Sequence, residues 1–398
     1  MSYIDIGVLV ILGISFIFGF AGKAPRKICS FIFMVVAVLA AYFLLDTFVG
    51  LISSTPASII PMNFGQLDGE TLSQFIERFI AEKIESTGLN IPADSVNALV
   101  SGIVRMMCFW VLALGLLIVV PLVGNLFTLI IFARRDKRTA FKTVGIFGLL
   151  KGAITVIVLC FPLLVFSPVL KTATELDTSE EGNPNYQLVE DQAKTSKFLE
   201  FGEKALESTK MSPLLYEKEG DTEKRYLYND IKSVPSLLKL ASVMKSGDGS
   251  SSEGVFETFA ELSDDEIREI FSNLDDSETI KEMVSGVIDD LIPEANVDLT
   301  DVDLTNEAEI FIAVKDLAVD VKEGEEVSAE TIEKFTNAAV DSELVLAVAE
   351  ANPGLLKDVP NEYVDQISSS LESRIGTDGF SQEDYDRIMK LFEESPSA

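Results

Sequence analysis

From Ile4 to Phe20 the chain is apolar with no polar face, and three further runs share that character: Ile28–Leu45, Met106–Phe132 and Val144–Phe166. A helix on the surface of a soluble protein shows polar positions on every turn. These runs show none, and each supplies about the 20 mostly apolar residues that a bilayer-crossing helix needs. The pattern predicts four membrane spans, at 4–20, 28–45, 106–132 and 144–166. Pro121 in the third predicts a kink or tilt, and Pro162 sits near the far end of the fourth. The first run opens "MSYIDIG", without basic residues, and is followed by "GKAPRK" rather than a small-residue cleavage site, so it is expected to be a retained span.

Between the second and third spans, 46–105, the period changes. Leu72, Phe75, Ile76, Phe79, Ile80 and Ile84 fall on one helical face, which predicts an amphipathic helix over 69–87 with Asp68 as its cap. Its polar face is acidic, so packing on protein is expected rather than adsorption to anionic lipid. Ala93 to Arg105 is expected to run straight into the third span. After the fourth span the chain turns polar. Residues 168–193, with Gly182 and Pro184, are expected as a linker. A helix is predicted over 194–209, a break at "MSPLLY", and another helix from 234. "KSGDGSSSEG", 245–254, has the composition of a flexible connector.

Beyond it lies a weak repeat with an offset of 65 residues, 261–325 against 326–390. "ELSDDEIREIFSNLDDSE" from Glu261 aligns with "EVSAETIEKFTNAAVDSE" from Glu326. Each copy starts with an apolar residue and a serine cap: Leu262-Ser263 with Glu266 and Ile267, then Val327-Ser328 with Ile332. Phe380-Ser381 with Asp384 and Tyr385 repeats the pattern. Short helices in series suggest an array. The expected fold is all-α: a four-span transmembrane bundle, 1–167, followed by an acidic soluble helical domain, 194–398.

Charge separates the two parts. Residues 1–167 carry 12 − 9 = +3, and 168–398 carry 20 − 54 = −34. Such an acidic surface repels phosphates, which excludes nucleic acid as a partner. The loop between spans one and two holds Lys23, Arg26 and Lys27 and no acid. The loop between three and four holds Arg134, Arg135, Lys137 and Arg138 with one acid, Asp136. Basic loops stay in the cytoplasm and touch anionic headgroups. The N-terminus and the acidic domain are therefore expected outside a cell membrane, with the bilayer as one partner and an extracytoplasmic protein as another.

Gly145, Gly148 and Gly152 share a face of the fourth span, and Gly19 ends the first. Small residues let helices approach in lipid, so these four are candidates for helix packing or for a homo-oligomer seam. Lys151, two turns into the fourth span, is a candidate pathway residue or a cation that snorkels to the inner surface. The chain has no histidine, which removes His-dependent triads and His-containing metal sites. Cys29, Cys108 and Cys160 all fall in predicted spans. No phosphate-binding or dinucleotide motif is present: "GIFGLLKG" lacks the Ser or Thr after lysine. "VDLTDVDLTNE" and "TDGFSQEDYD" do not fit calcium-loop positions. No catalytic residue, cofactor or metal is expected.

The opening "YIDIG", the Gly19-Phe20 pair before a basic loop, the loop with Asp136 and Arg138, and the glycine-marked helix with Lys151-Gly152 together resemble the CvpA family, the colicin V production proteins, over residues 1–167. Phe18 precedes the Gly-Phe pair where the family often has a basic residue, Gly22 and Lys23 follow where an acid is usual, and Val144 takes the place of the first glycine in the fourth span. The resemblance implies a non-enzymatic bacterial inner-membrane protein linked to bacteriocin production and envelope homeostasis.

Overall fold

The computed structural model describes residues 1–20, 24–55, 71, 74, 78, 92–131, 141–176, 183–218, 221, 223–246, 262–291, 299–300, 302–323, 327–342, 344–346, 354, 356–357, 359–377 and 379–393. It is mostly helical and divides into two compact units, 1–81 with 97–232, and 82–96 with 233–398.

In the first unit, α1 (Tyr3–Phe20), α2 (Ala24–Ser53) and α3 (Ala93–Ile131) are long and apolar enough to cross a membrane. α3 does continue without a break from Ala93 through the third apolar run, with Pro121 inside it. The fourth run differs from expectation. α4 (Phe141–Leu159) stops one residue before Cys160, α5 is Phe161–Val165 and α6 is Ser167–Leu170. Pro162 and Pro168 fall at the starts of α5 and α6, where a missing N–H costs nothing, and each ends the preceding ladder. At about 1.5 Å per residue the 19 residues of α4 cover roughly 28 Å, close to the ~30 Å of a hydrocarbon core.

These helices bury little against one another. Ile17, Phe43, Ile118 and Leu126 are among many large apolar side chains left facing outward on α1, α2 and α3. Keeping each from water is worth about 1.5–3 kcal/mol, and a belt of this size is compatible with a lipid-facing surface.

The segment expected as a linker is helical where described. A 3-10 turn, Ala173–Leu176, precedes α7 (Pro184–Thr195) and α8 (Lys197–Ser208). "MSPLLY" forms a second 3-10 turn and strand β1 (Leu215–Tyr216), paired antiparallel with β2 (Arg225–Tyr226). α9 (Leu227–Ser246) starts earlier than its apolar pattern suggests and carries Pro235 inside. Residues up to Lys232 belong with the apolar helices, so the boundary between the two compact units lies within α9.

In the second unit α10 (Asp264–Asp275) buries Ile267, Ile270, Phe271 and Leu274, the i, i+3, i+4, i+7 stripe of an amphipathic helix. α11 (Glu278–Leu291), α12 (Leu304–Glu323), α13 (Ala329–Asp341), α14 (Asn361–Glu372) and α15 (Gln382–Met389) follow. α12 lies between α10 and α13, and Leu317, Phe335, Ile367, Leu371 and Ile388 close one core. The three serine caps are in place. Ser263 with Glu266 and Ser381 with Asp384 form reciprocal capping boxes, and Ser328 accepts from Thr331 N. The 65-residue offset therefore coincides with two capped helices, α10 and α13, that share α12 as a neighbour.

Of the amphipathic helix expected at 69–87, Thr71, Gln74 and Arg78 alone lie among the described residues. There Thr71 N donates to Gln74 Oε1 at 3.0 Å and Gln74 N to Thr71 Oγ1 at 3.4 Å. The expected cap Asp68 lies outside them, as does most of the connector 245–254.

Candidate functional site

The glycine face of α4 lies on α1, antiparallel to it. A Cβ on Gly148 would meet Ser15 O at 2.5 Å and Gly19 Cα at 2.6 Å. One on Gly145 would meet the Phe20 ring at 2.5 Å, and one on Gly152 would meet Ser15 Cβ at 2.7 Å. Backbone thus touches backbone at Gly148 and Gly19, which no larger residue permits. Gly7 and Gly13, on the same α1, have nothing within 4 Å of such an atom.

Close approach of α4 also brings it to α2. Phe147 packs on Phe31 with ring centroids 5.7 Å apart, and Lys151 Nζ donates to Ser30 Oγ at 2.7 Å. Ser30 is buried, and Lys151 is half-buried. Lys151 therefore points between helices, and its polar partner is a hydroxyl. Lys27 makes the other such contact, donating to Phe18 O at 2.8 Å, where a cation suits the open carbonyls of a helix end. Arg26 lies in the first turn of α2. Lys23, Arg134, Arg135, Lys137 and Arg138 lie outside the described residues.

The helix ends sort by side. Asp46, late in α2, pairs with Arg105, early in α3, at 2.6 Å, while Phe33 of α2 fills the space beside Gly124 of α3. With α1 antiparallel to α4, this puts Phe20, Ala24, Ile131 and Phe141 at one end of the set. Tyr3, Asp46, Arg105 and Leu159 stand at the other.

At that second end sits a contact not evident in the sequence. The Asp5 carboxylate, in the first turn of α1 and buried, accepts from Ser196 Oγ at 2.9 Å, Phe198 N at 3.0 Å and Lys197 N at 3.2 Å. Ser196 Oγ in turn accepts from Leu199 N at 3.3 Å, and Glu200 N makes the first intrahelical bond to Ser196 O. The leading N–H groups of α8 are all satisfied, half of them by a residue 192 or 193 positions away. α1 is capped in the same place: Ser2 Oγ accepts from Asp5 N at 3.1 Å, and Gln192 Oε1 accepts from Tyr3 N at 2.5 Å.

From this anchor α8 crosses the end of the helix set. Gly202 lies against Leu164 of α5, whose side chain a Cβ would meet, and Ser212 Oγ donates to Tyr42 of α2 at 3.4 Å. Tyr216 packs on Gly102 of α3 and donates to Asp230 Oδ2 at 2.7 Å. Lys171 pairs with Glu203, and Thr174 and Lys194 both donate to Glu190. Partial burial pushes the Glu190 carboxyl up, but the Lys194 and Thr174 bonds outweigh it and hold it down at about 2. Burial and the neighbouring Glu203 and Glu207 push the Tyr228 hydroxyl up. The described residues between 183 and 232 form a collar on the apolar helices.

Around Asp5 and Glu190 the described polar contacts are caps and tethers. Among the described residues no group of three or more Cys, Asp or Glu gathers as a metal would require. Sequence reasoning missed Asp5, Ser30 and Ser196 as partners. An acid in the first turn of an apolar helix was the available signal, but its partner is set by tertiary structure. No family model, curated protein or solved structure matches this chain.

Proposed function

We propose that the protein is a non-enzymatic, multi-pass protein of a bacterial cytoplasmic membrane whose acidic helical domain is exported as a binding module. In this reading all four apolar helices span, with the N-terminus outside. The observation that carries it is the sorting of helix ends. The two basic segments, 21–27 and 132–142, join helices at the end opposite Asp5 and the collar, as the positive-inside rule requires of a cytoplasmic face. The resemblance of residues 1–167 to the CvpA family gives the role: support of bacteriocin (colicin V type) production or secretion, or of envelope homeostasis. A homo-oligomer would use faces of the spans other than the α1–α4 seam.

Topology tests the proposal. Ser250→Cys, placed in a background with Cys29, Cys108 and Cys160 replaced, is treated with a membrane-impermeant maleimide in intact cells and after lysis. Labelling in intact cells is expected. Labelling only after lysis would put the acidic domain in the cytoplasm and overturn the reading.

A second reading, a subunit of an oligomeric transporter or channel, draws on the Lys151–Ser30 contact inside the spans. Lys151→Ala would then abolish flux at unchanged protein level.

A further inference from the structure

The second unit contains an open cleft of about 750 Å³ between α10, α12, α13 and the turn before α15. Its floor is apolar, with Ile312, Leu346 and Phe380 among the lining side chains. Its walls carry four carboxylates, from Asp264, Glu309, Asp341 and Asp384, and two cations, from Arg268 and Lys334.

The two cations are already occupied. Arg268 holds Glu309 in a fork, Nε to Oε1 at 2.6 Å and Nη2 to Oε2 at 3.2 Å. Lys334 lies 3.4 Å from Glu330 and 4.0 Å from Asp316. On the acidic side, Asp264 is taken by Lys315, and Asp384 completes the cap of α15. Asp341, exposed at the end of α13, has no hydrogen-bond or ion-pair partner among the described residues. Asn337, one turn before it, accepts from Arg374 through its carbonyl oxygen, which leaves its amide N–H groups as donors. A free carboxylate thus stands beside a donor amide over an apolar floor.

The field around the cleft has one sign. Residues 233–398 carry 11 basic and 40 acidic side chains, 11 − 40 = −29. Such a surface concentrates cations and repels anions over several ångströms of approach.

We infer that this cleft binds a basic segment of a partner polypeptide. An aliphatic side chain of the segment rests on the floor, and a Lys or Arg pairs with Asp341. The inference rests on the binding-module reading and gives that module its partner chemistry. A free amine or a metal cation would use the carboxylates but not the floor. An acidic segment would meet the field with the wrong sign.

The test uses the full chain in detergent and a fluorescein-labelled seven-residue peptide of alternating lysine and leucine, with binding read by anisotropy. Asp341→Lys is expected to weaken binding about tenfold. Asp365→Lys, which makes the same change in net charge on the exposed face of α14 away from the cleft, is expected to change it less than about twofold. Lys334→Glu is expected to tighten binding about threefold, a gain that misfolding cannot produce. Equal weakening by the two lysine variants would reduce the effect to diffuse charge and overturn the assignment. So would equal binding of a glutamate–leucine peptide, or no binding by the unaltered chain. Detergent solution removes sidedness, so a failure here leaves the exported placement standing. A failure of the labelling experiment leaves the cleft's binding intact.

Discussion

Removing the Asp5 carboxylate tests the anchoring of the collar. In Asp5→Ala, α8 keeps the Ser196 cap on Leu199 N but loses the acceptor for Lys197 N and Phe198 N. Each N–H left without a partner costs ~1–3 kcal/mol when buried, and the low end applies here because Lys197 is water-accessible. The sum is about 2–3 kcal/mol of local stability. Amide hydrogen exchange, followed by mass spectrometry on protein in detergent, should therefore quicken roughly 30- to 150-fold over Lys197–Glu200, at about 1.4 kcal/mol per tenfold. Asp5→Asn keeps one acceptor oxygen and should show about half that energy. Asp191→Ala, an exposed acid on α7, should leave these amides unchanged. Because Asp5 and Ser196 share a hydrogen bond, Asp5→Ala with Ser196→Ala should cost less than the two single changes added. Unchanged protection at Lys197–Glu200 in Asp5→Ala would refute the anchor.

Gly148→Ala should destabilise the protein by about 1–3 kcal/mol in denaturant titration in mixed micelles, because the new atom meets backbone of α1 on both contacts, while Gly7→Ala should be neutral. Equal effects would mean that α1 and α4 do not pack through this face. The Glu266 carboxyl, held down at about 2 by hydrogen bonds from Lys239 and from Ser263, should keep its cap through mild acid. Because its folded value lies below the ordinary 4.5, its contribution is complete above that pH and is lost as pH falls through about 2. Carboxyl carbon NMR of the labelled protein should place its midpoint there, and a midpoint near 4.5 would mean the capping box does not persist in solution.

The sequence by itself determined the elements that depend on local chemistry. Apolar runs of bilayer length marked α1, α2 and α3, since lipid imposes a requirement on composition alone. The caps at Ser263, Ser328 and Ser381 were legible because donor and acceptor stand three residues apart. The close-packing glycines of α4 were legible as a stripe, though not their partner: that Gly148 meets Ser15 and Gly19 depends on how two helices cross. The fourth apolar run is continuous in hydropathy, which does not register where a ladder breaks, and Pro162 breaks it. What only the tertiary structure decided joins distant positions. Asp5 caps a helix more than 190 residues on, Lys151 finds Ser30, Gln192 of the segment 168–193 accepts from Tyr3 N of α1, and Ser212 meets Tyr42 of α2. Those pairings are set by packing, which satisfies a buried donor or charge with whatever acceptor the fold brings near. The cleft is of the same kind: its residues come from four separate stretches of chain, and charge directs a partner there only after they have been assembled.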